Sequence, residues 1–284
     1  MSVELQQNSA DLKKEVNDVL IQIKEDELNR FNFYNTLNNE ETVTKTKETI
    51  TEGYISDAEL EKIVAEGWDL SDIEQITDRQ AIYLSSLEWD LFLNWLKSLS
   101  DKQVEILSKH KGWLSLGGLE QITDRQAIYL LSHEWELSLD GLKSLSDKQA
   151  WILSKHKGWL SLGGLEQITD RQAIHLSSHE WNLSLDGLKS LSDKQAGILS
   201  KHKRYLSLGG LEKLSDKQAL YLARTKWALL LDWLKELSKK QAVFLSSHTG
   251  AALSLRWLKK FDNVGVLLKN YKGDLYLPDE AKKD

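Results

Sequence analysis

The 284-residue chain contains no cysteine. That excludes disulfide frameworks and thiolate metal sites, and it is compatible with a reducing compartment. Proline occurs once, at Pro278 near the C-terminus. Basic residues are not in excess: 37 Lys and Arg stand against 43 Asp and Glu, a net charge of -6. This balance argues against a general nucleic-acid binder, which needs a basic patch. Long hydrophobic runs are missing as well, so no stretch reads as a membrane span. The opening residues MSVELQQNSADLKKEVNDVL lack a basic segment followed by an apolar one, the mark of a secretory signal. The expectation is a chain with no nucleic-acid or membrane partner and a cytoplasmic location.

What the sequence does have is a repeat. Gln80, Gln103, Gln126, Gln149, Gln172, Gln195, Gln218 and Gln241 fall at a constant 23-residue step. Around each lies a pattern close to [EK]-x-[LI]-[ST]-D-[KR]-Q-A-x-x-L, followed by a short polar stretch and L-x-L-x-x-L. Degenerate copies run from Ile55 to Ile73 and from Phe261 to Leu277, the latter after a one-residue insertion near Ala251. About ten units result, enough for a shared core that no single unit could form.

The stretch SDKQAWILSKHKGWLSLGG, Ser146 to Gly164, shows how one unit reads. Ser146 and Gln149 form an S-x-x-Q capping box, and Asp147 falls in the first helical turn, where the helix dipole favours an anion. Leu145, Ala150 and Leu153 share one helical face. His156 and Lys157 fall where a helix C-terminus favours cations. Leu160 and Leu162 then alternate with Ser161 and Gly163, the period of a half-buried strand. A strand and a helix repeated at a short fixed step imply an α/β solenoid, with a parallel sheet on one face and short helices on the other.

The 23-residue step, the L-x-L strand and the small helix residues Ala127, Ala150, Ala173 and Ala196 resemble bacterial leucine-rich repeats over roughly residues 54 to 277. Leu165 departs from that pattern, standing where the family's asparagine ladder would be. The resemblance implies a concave sheet presented to a protein or peptide.

Two repeats make the true duplicated block. Residues 119–164 and 165–210 differ at six positions: Tyr129/His175, Leu131/Ser177, Glu136/Asn182, Trp151/Gly197, Gly158/Arg204 and Trp159/Tyr205. Charges alternate along two columns, Glu74, Lys97, Glu120, Lys143, Glu166, Lys189, Glu212, Lys235 and Glu88, Lys111, Glu134, Lys157, Glu180, Lys203. Strands stack at ~4.8 Å, so alternation sets opposite charges on neighbours and penalises a slip of one repeat. Residues 51–284 therefore read as the solenoid. Residues 1–50 read as an amphipathic helical segment carrying Leu12, Val16, Val19, Leu20, Ile23, Leu28 and Phe31, with a polar join from Asn38 to Gly53. That segment is expected to cap the solenoid end or to bind another chain.

For chemistry, the column His110, His133, His156, His179, His202 and His248 raises the idea of a metal or pH-sensing ladder. A linear column beside lysines does not converge on one point as metal ligands must, and a copied helix C-terminal cation explains it more simply. No phosphate-cradling glycine loop or nucleophile elbow is present. Every candidate catalytic residue recurs in several copies, whereas catalytic groups normally converge once. No enzyme, cofactor or metal is expected.

The outward strand face is the better candidate. One column runs Asp90, Trp113, Glu136, Trp159, Asn182, Tyr205, Ala228. A second is mainly serine, with Ser115, Ser138, Ser161, Ser184 and Ser207. A third alternates Asn94, Gly117, Asp140, Gly163, Asp186, Gly209, Asp232. Aromatics beside adaptable polar groups are typical of recognition surfaces, and the carboxylates favour a basic or hydrogen-bond-donating ligand. The expected ligand site comprises Trp113, Glu136, Trp159, Asn182, Tyr205, Ser138, Ser161, Ser184, Asp140 and Asp186. Aromatics on alternate strands, roughly 10 Å apart, also match a disaccharide, so carbohydrate is the alternative ligand. A structural spacer in a larger assembly is the second alternative. Trp89, Trp135, Trp181 and Trp227 have the opposite parity and are expected at the core edge.

Overall fold

In a computed structural model of the chain, residues 55–65, 73–259, 268 and 271–278 are described. They belong to a compact unit spanning Gly53–Asp284. The expected amphipathic helix and its polar join lie outside the described residues.

Short helices start wherever a Ser or Thr stands three residues before the repeated glutamine. Helices α1 (Asp57–Ala65), α2 (Asp78–Ser85), α3 (Asp101–Leu107), α4 (Asp124–Leu131), α5 (Asp147–Leu153), α6 (Asp170–Ser177), α7 (Asp193–Leu199), α8 (Asp216–Leu222) and α9 (Lys239–Ser246) follow in order. From α2 onward each opens with a complete capping box. Helices this short do not hold in isolation, so stacking must hold them. The chain provides for that stacking at the same glutamine. Gln149 Nε2 donates to the Ile122 carbonyl of the preceding repeat at 2.7 Å, while its Oε1 accepts from Ser146 N–H at 2.8 Å. The same inter-repeat bond is made by Gln80, Gln103, Gln126, Gln172, Gln195, Gln218 and Gln241. This glutamine column stitches each of these helices to the repeat before it.

Among the described residues, nine strands form one parallel sheet in chain order: β1 (Leu91–Phe92), β2 (Leu114–Ser115), β3 (Leu137–Ser138), β4 (Leu160–Ser161), β5 (Leu183–Ser184), β6 (Leu206–Ser207), β7 (Ala228–Leu230), β8 (Ala252–Ser254) and β9 (Asp274–Tyr276). The register is 23 residues from β1 to β7, for example Leu137↔Leu160. It becomes 24 at Leu229↔Leu253, where the insertion near Ala251 is absorbed. The fold is thus an α/β solenoid of strand–helix repeats.

The core lies between sheet and helices. Leu137, Leu139 and Leu142 of one repeat, and Leu160, Leu162 and Leu165 of the next, are buried with the helix residues Ala127, Ala150 and Ala173. Leu165 is a core residue, which is why no polar ladder occupies that column. Each such leucine contributes roughly 1.5–3 kcal/mol by leaving water. Along the helix side a second ladder joins neighbours: Lys102–Asp78 at 2.7 Å, Lys194–Asp170 at 2.7 Å and Arg171–Asp147 at 3.7 Å. Of the alternating charge columns, Lys235–Glu212 closes as an ion pair at 2.6 Å.

The histidine column differs from expectation. Helix α5 ends at Leu153, so His156 lies beyond the helix terminus and is buried, as are its counterparts. The rings of His133, His156, His179 and His202 stack at 6.0, 6.4 and 6.3 Å between centroids. Burial, reinforced by neighbouring imidazoles, brings His156 and His202 down to about 4, and burial also lowers His133 and His179. These are neutral core side chains, and His133, His156 and His179 bond backbone, as His156 does to the Trp135 carbonyl at 2.8 Å. They are not helix-end cations.

Candidate functional site

The strand register sets the residues preceding each strand side by side, so Trp113, Glu136, Trp159, Asn182 and Tyr205 follow one another along the outer face of the sheet. Trp113 and Trp159 are each 37% exposed, and Glu136 is exposed while Asn182 and Tyr205 are half-buried. The aromatic rings do not stand apart. Trp159 and Tyr205 meet at 5.8 Å between centroids across the intervening strand β5, and Trp113 meets Phe92 edge-on at 5.1 Å. Within the Trp159/Tyr205 pair the rings therefore stand closer together than the ~10 Å between alternate strands, short of the disaccharide spacing. Burial, followed by the carboxylates of Asp186 and Asp232, raises the Tyr205 phenol above its ordinary value. It stays a hydrogen-bond donor at neutral pH.

The serines and aspartates form a network of their own. Asp140 Oδ1 accepts from Ser161 Oγ and from Gly163 N–H, both at 2.6 Å, and Oδ2 accepts from Ser138 Oγ at 2.8 Å. Asp186 repeats the arrangement with Ser184, Ser207 and Gly209. In the earlier repeat Asn94 Oδ1 accepts from Ser115 and Gly117. Each acidic side chain thus ties its own strand to the next. The facing residue on the next strand is glycine after Asn94, Asp140 and Asp186, where a Cβ at Gly163 would lie 2.8 Å from Asp140 Oδ1, and it is Arg256 after Asp232, its N–H donating to Asp232 Oδ1 at 3.2 Å. Ser138 and Ser184 are buried beside these carboxylates, and Ser161 is half-buried.

Next to this column, Gly118, Gly141, Gly164, Gly187 and Gly210 lie against the previous strand's backbone. A Cβ at Gly141 would come within 2.1 Å of the Gly117 carbonyl. At the ends of this glycine floor stand exposed tryptophans, Trp95 on one side and Trp233 and Trp257 on the other. The last two are 6.4 Å apart between centroids.

Trp89, Trp135, Trp181 and Trp227 correct a second expectation. They are not covered at the core edge but lie 47–55% exposed, along the turn that leads into each alternate strand. Parity placed them off the outer sheet face, yet the segment before the strand is an exposed bend.

Among the described residues, no group of three or more His, Asp or Glu side chains is placed to hold a metal ion. No described helix is long and apolar enough to cross a membrane.

These features define an α/β solenoid of leucine-rich-repeat-like units with an exposed aromatic and acidic sheet face. No protein-family model and no curated protein matches the chain. Among solved structures it is similar to an internalin from Listeria monocytogenes, at 15% identity and a TM-score of 0.43 over 80% of this chain and 69% of that one. The fold assignment rests on the strand register and hydrogen bonding above, not on that likeness.

Proposed function

We propose that the chain is a non-enzymatic scaffold that binds a protein or peptide through the outer face of its sheet. The observation that carries this reading is the pair of exposed aromatic clusters, Phe92/Trp113 and Trp159/Tyr205, with Glu136 and Asn182 between and beside them. Large exposed rings in a polar frame are the composition of binding hot spots. Among the ten candidate residues, Trp113, Glu136, Trp159, Asn182 and Tyr205 supply the contact. Ser138, Ser161, Ser184, Asp140 and Asp186 hold the surface in register and give it negative charge. A partner with basic groups fits that charge. The reading includes a cytoplasmic location, consistent with a cysteine-free chain and checked by fractionation of the native cell.

Affinity capture from native lysate tests it, comparing wild type with Trp113→Ala/Trp159→Ala and with Glu136→Lys. A partner retained by wild type and lost in both variants supports the reading. Capture unchanged in both overturns it. A glycan array bound by wild type but not by Trp159→Ala would transfer the face to carbohydrate.

A further inference from the structure

The exposed tryptophans along the edge of the sheet alternate with residues one repeat away, giving Trp89, Gly112, Trp135, Gly158, Trp181, Arg204, Trp227. At one place the chain fills the space between two indoles itself. The Arg204 guanidinium carbon lies 5.9 Å from the Trp181 ring centroid and 5.9 Å from that of Trp227. Glycine stands at the two equivalent sequence positions, so neither Gly112 nor Gly158 supplies a side chain between its neighbouring tryptophans. The two distances at Arg204 place its guanidinium inside the ~6 Å reach of a cation–π contact with both indoles.

Charge follows the same division. Around Gly112 stand the exposed Glu88, Asp90, Glu134 and Glu136 against Lys111. Around Gly158 stand Glu134, Glu136 and Glu180 against Lys157. Where the chain supplies Arg204, Asn182 replaces the second glutamate, and Lys226 takes the place of a glutamate. The two glycine gaps are acidic and the arginine-filled one is not.

We propose that the gaps at Gly112 and Gly158 are binding sites for guanidinium groups, each taking an arginine side chain of an extended basic peptide as Arg204 is taken at the third. The gaps recur every two strands, roughly 10 Å. A polyproline-type helix advances ~3.1 Å per residue with three residues per turn, so arginines at i and i+3 lie on one face about 9 Å apart. The ligand is therefore an R-x-x-R segment. Glu136 borders both this edge and the outer-face clusters, so Trp135→Ala probes the edge and Trp113→Ala/Trp159→Ala the outer face.

The test is titration of the full chain with a proline-rich R-x-x-R peptide, followed by tryptophan fluorescence and calorimetry. Wild type binds, and Trp135→Ala, which removes a wall from both gaps, weakens binding at least tenfold. Arg204→Ala opens the third gap and raises affinity several-fold for a peptide with three arginines at this spacing. Trp135 is half-exposed, so its loss leaves the fold intact, as the far-ultraviolet circular dichroism will show. Binding within twofold of wild type in Trp135→Ala overturns the proposal. So does equal affinity for the same peptide with both arginines replaced by lysine, or with its arginines spaced five apart.

Discussion

The helix side and the sheet side of the solenoid obey different periods. On the helix side every repeat carries the same glutamine, and each one bonds its predecessor's backbone at 2.5–2.7 Å. On the sheet side the pattern doubles to two repeats, because one carboxylate serves two strands. Asp140 accepts from serines on both and from Gly163 N–H, so the next strand needs no acid of its own there. A doubled period is thus as structural as a single one. What lattice requirements leave over is found where the two 46-residue copies differ, at Glu136/Asn182, Gly158/Arg204 and Trp159/Tyr205.

The largest expected effect comes from filling the glycine floor. In Gly141→Val the new Cβ meets the Gly117 carbonyl at 2.1 Å and the Leu119 carbonyl at 2.7 Å, both backbone atoms. Neither can move without opening the ladder, so a loss above about 4 kcal/mol is expected, in the range of severe backbone and packing defects. Urea unfolding measures it. A variant as stable as wild type would remove the glycine column from the lattice.

Acid should act next, through the histidine stack. An unfolded histidine takes its proton near 6.5, whereas His156 and His202 take theirs at about 4 in the fold. Between those values the unfolded chain binds more protons. The stability contributed by the neutral rings is present above pH 6.5 and is lost as pH falls toward about 4. At about 1.4 kcal/mol per pKa unit, each ring contributes on the order of 3 kcal/mol. Thr225 stands in this column in the natural sequence and is buried, so His156→Thr/His202→Thr is a tolerable replacement. Urea midpoints from pH 7 to 4.5 should fall less steeply in that variant. Equal slopes would assign the acid sensitivity to the carboxylates.

Much of this was legible in the sequence. The step of 23, the capping box and the leucine columns dictate α/β solenoid packing before any coordinate is seen. The third bond of Gln149 was not legible, because its acceptor, Ile122, lies 27 residues away and is a backbone oxygen that every residue possesses. The histidines misled because proximity in sequence to a helix end does not say whether the chain has turned inward by then. Rings at Trp159 and Tyr205 escaped the spacing argument for a related reason. Backbone register fixes where side chains start, not how far they lean. Arg204 did leave a signal, as the one glycine-to-arginine exchange between otherwise matching copies.

A finer cut through the sheet-side network is Asp140→Ala against Asp140→Asn. Alanine leaves two hydroxyls and one N–H without their charged acceptor, and a loss of about 2 kcal/mol is expected, softened by water at this exposed side chain. Asparagine retains an acceptor at Oδ1, as Asn94 does naturally for Ser115 and Gly117, and should cost below about 1 kcal/mol. Equal losses in the two variants would mean that charge, not the strand-to-strand bonds, is what this column supplies.

The smallest expected effect tests whether every difference between the copies points to a partner. Trp151 in one copy is Gly197 in the other, on the helix side. Trp151 is buried within α5, whereas a Cβ at Gly197 would meet nothing closer than Tyr221 Cδ2 at 3.6 Å. Gly197→Ala should therefore be accommodated without strain and gain about 0.5–1 kcal/mol, the cost of glycine inside a helix. Binding to the R-x-x-R peptide should be unchanged. If it changes, the helix side communicates with the edge and the division drawn between them fails. If only the unfolding midpoint rises, copy differences on the helix side concern stability, and those clustered around Gly158 and Arg204 are left to explain recognition.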